Sequence, residues 1–151
     1  MVDFVYAELT QSPERLNVIT TKLGTAAGQL YTDKDINKAV KMGAVSNYSL
    51  CADGDELEGF IDNIDGGPTA GGFIVGGVKR GGSGLRVRAT VAAGVATPLV
   101  VKDQVVAGAQ LPLGTKGLAQ VKKGTPELYK YQVIRLYGNG SAGTDVLLER
   151  I

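Results

Sequence analysis

The chain has 151 residues, 16 basic and 15 acidic side chains and a net charge of +1, a size that suits one ordinary domain burying roughly 70% of its unfolded surface. Balanced charge gives no field to draw it onto nucleic acid or anionic lipid. The absence of histidine excludes histidine-based triads and removes the commonest zinc ligand.

Cys51 is the single cysteine, so no internal disulfide can form, and it reads as a small apolar residue, not a nucleophile. The start, Met1-Val2-Asp3-Phe4, does not read as a signal peptide, and no run approaches the ~18 apolar residues of a membrane span. A cytosolic product, or one that assembles there, is expected. The 22 glycines, with few helix formers after residue 45, point to short strands and tight turns.

Phe4, Val5, Tyr6 and Leu9 form a first apolar patch, Pro13 interrupts any helix, and Leu16, Val18 and Ile19 form a second patch before Gly24-Thr-Ala-Ala-Gly28. That glycine–alanine stretch reads as a hinge. Residues 1–27 are therefore expected to be an extended arm that docks on a neighbouring subunit, with a β-rich body over 28–151. The alternative is a first strand or short helix folded onto the body. Asp33 to Lys38 reads as a helical turn or loop leading into Ala39–Met42.

Strand signals then recur. Leu57, Gly59 and Ile61 alternate with Glu58, Phe60 and Asp62, and Phe73 to Val78 is an apolar run between glycine pairs. Leu85, Val87, Ala89 and Val91 alternate with Arg86, Arg88 and Thr90, which predicts a strand with one face in the core and the other in water. Further strands are predicted at Leu99–Val101, Gln104–Ala107, Leu118–Lys122, Tyr129–Tyr137 and Asp145–Ile151. The class that follows is all-β, a small β-barrel or β-sandwich with an N-terminal extended arm. No internal repeat is visible, and no second boundary follows the hinge.

Three clusters invite chemistry. Asp53, Asp55, Glu56, Glu58, Asp62 and Asp65 lack the glycine that a calcium loop needs at its sixth position, where Glu58 stands, so no metal site is assigned. The glycine-rich run from Gly71 to Gly82 lacks the spacing of a phosphate loop, as does Gly114-Thr115-Lys116, and both read as turns and close strand packing. Arg86 and Arg88, with Lys79 and Arg80 nearby, form a basic patch suited to an acidic partner surface. No catalytic residue and no cofactor is assigned.

Several phrases resemble the capsid decoration proteins of short-tailed bacteriophages. They are Asp35-Ile-Asn-Lys-Ala-Val-Lys41, Tyr48-Ser-Leu-Cys-Ala-Asp-Gly-Asp-Glu-Leu-Glu-Gly-Phe-Ile61, Gly72-Phe-Ile-Val-Gly-Gly-Val78, Val105-Val-Ala-Gly-Ala-Gln110, Gly114-Thr115 and Val146-Leu-Leu-Glu-Arg-Ile151. The resemblance implies a β-rich, non-enzymatic cement protein on the outer face of the virion capsid. It implies a major capsid protein and further copies of the chain, as a dimer or trimer, as partners, with assembly in the host cytoplasm and no nucleic acid or membrane. Phe4, Val5, Tyr6, Leu9, Arg86 and Arg88 are the expected contact residues, the four N-terminal ones read from their apolar pattern and the two arginines from their shared strand face, all outside the resembling phrases.

Two other readings compete. Gly59-Phe-Ile-Asp-Asn-Ile-Asp65 resembles the uracil-binding segment of trimeric dUTP pyrophosphatases, which would make Asp62 the water-activating carboxylate and Arg80 to Gly84 a phosphate cover. A receptor- or carbohydrate-binding tail module is the third, but the chain has no tryptophan and six tyrosines for the aromatic platforms such modules expose.

Overall fold

The computed structural model describes residues 16–151. It is all-β, with ten strands among the described residues: β1 (Leu16–Leu23), β2 (Ala39–Met42), β3 (Tyr48–Leu50), β4 (Gly59–Ile64), β5 (Ile74–Gly81), β6 (Arg86–Val91), β7 (Gln104–Ala107), β8 (Ala119–Lys123), β9 (Tyr131–Leu136) and β10 (Asp145–Arg150). A short 3-10 turn covers Asp33–Asp35.

The strands close into two consecutive barrels. The first runs β1-β3-β2-β4-β5 and the second β6-β8-β7-β9-β10, each sealed by its first and last strands. The connectivity is the same in both. First and third strands pair in parallel, the rest antiparallel, and the last two strands of each barrel carry a register shift. Before the second strand of each barrel stands a non-glycine residue with positive φ, Asn37 (74°) or Lys102 (79°). Its N–H donates to the fourth strand, to Ile61 O and to Val133 O, at 2.7 Å in both cases. Closure leaves neither sheet an open edge.

β1 corrects the expected boundary at 27. Over all eight of its residues it pairs with β5, from Leu16 opposite Gly81 to Leu23 opposite Ile74. Removing it would open the first barrel, so residues 16–23 are body, not arm. Phe4, Val5, Tyr6 and Leu9 lie outside the described residues. Leu99–Val101 is a loop, not a strand.

Alternation along β6 is as the sequence predicts: Val87, Ala89 and Val91 are buried and Arg88 is exposed. β4 departs from it. Ile61 enters the core of the first barrel with Leu23, Val40, Tyr48, Ile74 and Val78, while Phe60 on the opposite face is also buried. Phe60, Ala39, Cys51 and Leu57 belong to the second barrel's core, where the Phe60 ring meets Tyr131 edge-on at 5.7 Å. A face predicted to meet water instead meets the neighbouring barrel. Leu113, from the β7–β8 connection, reciprocates by packing against the first core.

Polar groups complete the joint. The Asp35 carboxylate accepts from Thr32 N (2.8 Å), Gly114 N (3.0 Å) and Lys38 Nζ, and Lys38 Nζ also donates to Pro112 O (2.8 Å). Both side chains are fully buried. The Gln110 amide oxygen accepts from Ala39 N (3.3 Å) and Gln120 N (3.1 Å), one in each barrel. Gly54 N donates to Ala107 O and Ala107 N to Asp55 O, both at 2.8 Å, stitching the β3–β4 connection to β7.

Breaking a buried pair by truncating one partner typically costs about 3–5 kcal/mol, because the other charge is left stranded. Lys38→Met is therefore expected to lower the unfolding free energy by that amount. Lys41→Met, which removes a partly exposed pair with Asp55 at 2.7 Å, should cost under about 1 kcal/mol. Urea unfolding of the two variants checks this, and equal losses would contradict the assigned joint.

Candidate functional site

Between the barrels lies a cleft of about 290 Å³ lined by Asn37, Phe60, Lys79, Arg86, Val87, Arg88 and Leu118. Strand register builds one wall. Ala39 stands opposite Phe60, Phe60 opposite Lys79, and Lys79 opposite Val18. Directly opposed residues share a face of a sheet, so this row runs across the outside of the first barrel, from buried at Ala39 to 46% exposed at Val18. β6 supplies the other wall with Arg86 and Arg88.

The basic patch is thus assembled, with one substitution. Lys79 joins Arg86 and Arg88, but Arg80, one residue on, turns to the opposite face and donates to the hydroxyls of Tyr48 (3.1 Å) and Tyr129 (3.2 Å). Arg86 Nε donates to Glu149 at 3.0 Å and Arg88 Nε to Asp145 at 3.1 Å, cross-strand pairs with β10. Arg88 also lies 4.1 Å over the Tyr137 ring. Lys79 has a neutral partner instead, Asn37 Oδ1 at 3.3 Å. Burial pulls its ammonium below the usual lysine range, with Asp62 acting against that.

A second basic feature was not foreseen from the sequence. Arg150, in β10, donates to Gly81 O (3.2 Å) and Leu128 O (3.1 Å), and both it and Arg80 lie over Tyr129, at 5.3 and 5.6 Å. Beneath it, among the described residues, Arg150 Nε and the Tyr131 hydroxyl are buried with no partner at close hydrogen-bond geometry. Burial pushes the Tyr131 phenol up to about 12, against the opposing pull of Arg150 and Arg80.

The acidic residues do not converge. Asp55 pairs with Lys41 and Asp53 with Lys122, while Glu58 accepts from Met42 N at 3.3 Å. Glu56 accepts from the backbone N–H groups of Glu127, Leu128 and Tyr129 at 3.1, 2.8 and 2.8 Å. Desolvation opposes ionisation of Glu56, but these three donors outweigh it and hold the carboxyl below its usual range. Among the described residues no three acidic or cysteine side chains gather as a metal site. Asp62 is exposed at the β4 bulge and accepts from Asn63 Nδ2 at 3.0 Å. The glycine run is strand packing: Asn63 leans over β5 and accepts from Gly77 N at 3.1 Å, and a Cβ on Gly77 would collide with Asn63 Nδ2. No helix among the described residues is long and apolar enough to cross a membrane.

No family model, curated protein or solved structure matches the chain.

Cys51 is buried in the joint with its Sγ 3.6 Å from Glu56 O, and burial, reinforced by Asp55 and Glu58 against Lys41, pushes its thiol up to about 12. Below its ordinary value of 9.0 the thiol keeps its proton whether the chain is folded or not. Above it the unfolded chain ionises first, so stability falls as pH rises toward about 12, by at most about 4 kcal/mol for this group. Tyr131 acts in the same direction. Cys51→Ala should therefore shrink the drop in melting temperature between about pH 8 and pH 11. An unchanged drop would show that the buried thiol does not contribute.

Proposed function

We propose that the protein is a structural capsid decoration protein that binds the outside of an icosahedral phage head and clamps adjacent major capsid protein subunits, acting without enzymatic chemistry. The observation that carries the reading is where the resembling phrases fall. Asp35, Lys38, Gly54, Glu56, Phe60, Ala107, Gln110, Gly114 and Arg150 all belong to them, and all bridge the two barrels. On this reading the phrases that resemble decoration proteins are those that join the two barrels into one unit, the property a clamp between subunits requires.

Each barrel offers apolar side chains at its loop ends for gripping a neighbour. Met42 and Val45 flank the β2–β3 turn of the first, with Val45 75% exposed; Leu128, 72% exposed, and Ile151 stand at one end of the β9–β10 pairing in the second. Two separated contacts on one rigid body act as linked binding events and raise avidity without either being strong. Arg86 and Arg88, paired with Glu149 and Asp145, add a polar surface that sets register against the partner.

Co-sedimentation with heads stripped of their outer proteins tests this. The full chain should pellet with the heads. Burying an exposed valine or leucine is worth about 1.5–3 kcal/mol, so Val45→Asp or Leu128→Asp should weaken binding at least about tenfold without moving the melting temperature. A chain that pellets no better than an unrelated protein contradicts the proposal. Hydrolysis of dUTP that is lost in Asp62→Asn would replace it with the nucleotide-hydrolase reading.

A further inference from the structure

The arginines expected to face an acidic partner are already neutralised, since Arg86 and Arg88 each meet a carboxylate. A second arginine pair is not. Arg80 and Arg150, with Gly81, Gly82 and Tyr129, line a recess of about 290 Å³ where Arg150 of β10 reaches Gly81 of β5. The recess is open to solvent: Gly82 is exposed and the other four residues are half-buried. Among the described residues no ion pair uses Arg80 or Arg150.

Their hydrogen bonds reach neutral oxygens, the hydroxyls of Tyr48 and Tyr129 from Arg80 and the carbonyls of Gly81 and Leu128 from Arg150. These bonds hold both guanidiniums in place, and each keeps further N–H donors beyond the ones so used. The Tyr129 hydroxyl, which accepts from Arg80, also keeps its own proton to donate. Glu56 is near enough for Arg150 to favour its ionised form, but its Oε1 is taken by the N–H groups of Glu127, Leu128 and Tyr129. With Glu56 offsetting part of the local charge, a single negative charge balances the recess better than a dianion does. A guanidinium fork matches the two oxygens of a carboxylate. Beside the recess stand two apolar side chains in water, Leu128 (72% exposed) and Ile151 (49%).

We propose that this recess receives a carboxylate side chain of a partner protein, held by Arg80, Arg150 and the Tyr129 hydroxyl, while apolar residues next to that carboxylate cover Leu128 and Ile151. Arginine and tyrosine dominate the energy of protein interfaces where surrounding contacts exclude water, and the apolar rim supplies those contacts. The inference does not rest on the capsid reading, because any partner that presents an acidic residue between apolar ones fits the recess. Under that reading the acidic residue belongs to the shell.

The probe is the tripeptide acetyl-Leu-Glu-Leu-amide, titrated into isotope-labelled full-length protein and followed by NMR. The Nε–H signals of Arg80 and Arg150 should shift saturably. Those of Arg86 and Arg88, which already donate to carboxylates, should stay in place. Added salt should weaken the response, and the glutamine analogue should give none. Acetate, which cannot cover Leu128, should bind several-fold more weakly than the peptide, and Leu128→Ser should remove that difference without changing the acetate titration. Arg80→Gln should abolish the response at Arg150; if that variant unfolds, the titration of the unsubstituted protein still decides. No saturable shift at Arg80 and Arg150, or an equal response to the glutamine analogue, overturns the proposal. So does acetate binding as tightly as the peptide, which would make the ligand a free carboxylate, or inorganic phosphate binding more tightly than either, which would make the recess a phosphate site.

Discussion

Asp35 and Lys38 form an ion pair with both side chains fully buried, and what surrounds them explains why the molecule has one body and not two. Taking two charges out of water costs several kcal/mol per ion unless their remaining hydrogen-bonding capacity is met by fixed partners. Thr32 N meets part of it from the same turn, but Gly114 N and Pro112 O come from the other barrel. The pair is therefore satisfied only when the β7–β8 connection is in place. That same connection delivers Leu113 to the first core and Gln110 to the backbone of Ala39. The first barrel cannot complete its own interior without the second.

The small size of each barrel favours this dependence. Each barrel has five short strands and a small interior, and a domain of that size buries too little apolar surface to be robust alone. Sharing Ala39, Cys51, Leu57 and Phe60 with the second barrel's core turns two marginal units into one. Glu56, holding three consecutive N–H groups of the loop before β9, and Arg150, reaching back to Gly81, fix the relative placement from two further sides.

The all-β class and most strand positions were legible because period-two alternation survives wherever one face meets water, as in β6. Alternation fails where both faces are buried, so Phe60 was grouped with Glu58 and Asp62 although it faces a neighbouring barrel. Val100 and Val101 look like a strand but lie in a loop, where they are 56% and 48% exposed. The barrel repeat was invisible because it resides in hydrogen-bond connectivity and in backbone positions such as Asn37 and Lys102, not in side-chain identity. Arg86 and Arg88 share a strand face, as their alternation predicts, and line the inter-barrel cleft. Lys79 was placed near them, but only strand pairing shows that it, and not Arg80, turns into their cleft.

The inter-barrel joint makes the chain a single cooperative unit. Differential scanning calorimetry of the full-length protein tests it most directly, because two-state unfolding requires the calorimetric and van't Hoff enthalpies to agree. One transition with an enthalpy ratio near unity is the result the account predicts. Two resolved transitions, or a calorimetric enthalpy about twice the van't Hoff value, would mean that the barrels unfold independently and that the buried pair does not unite them.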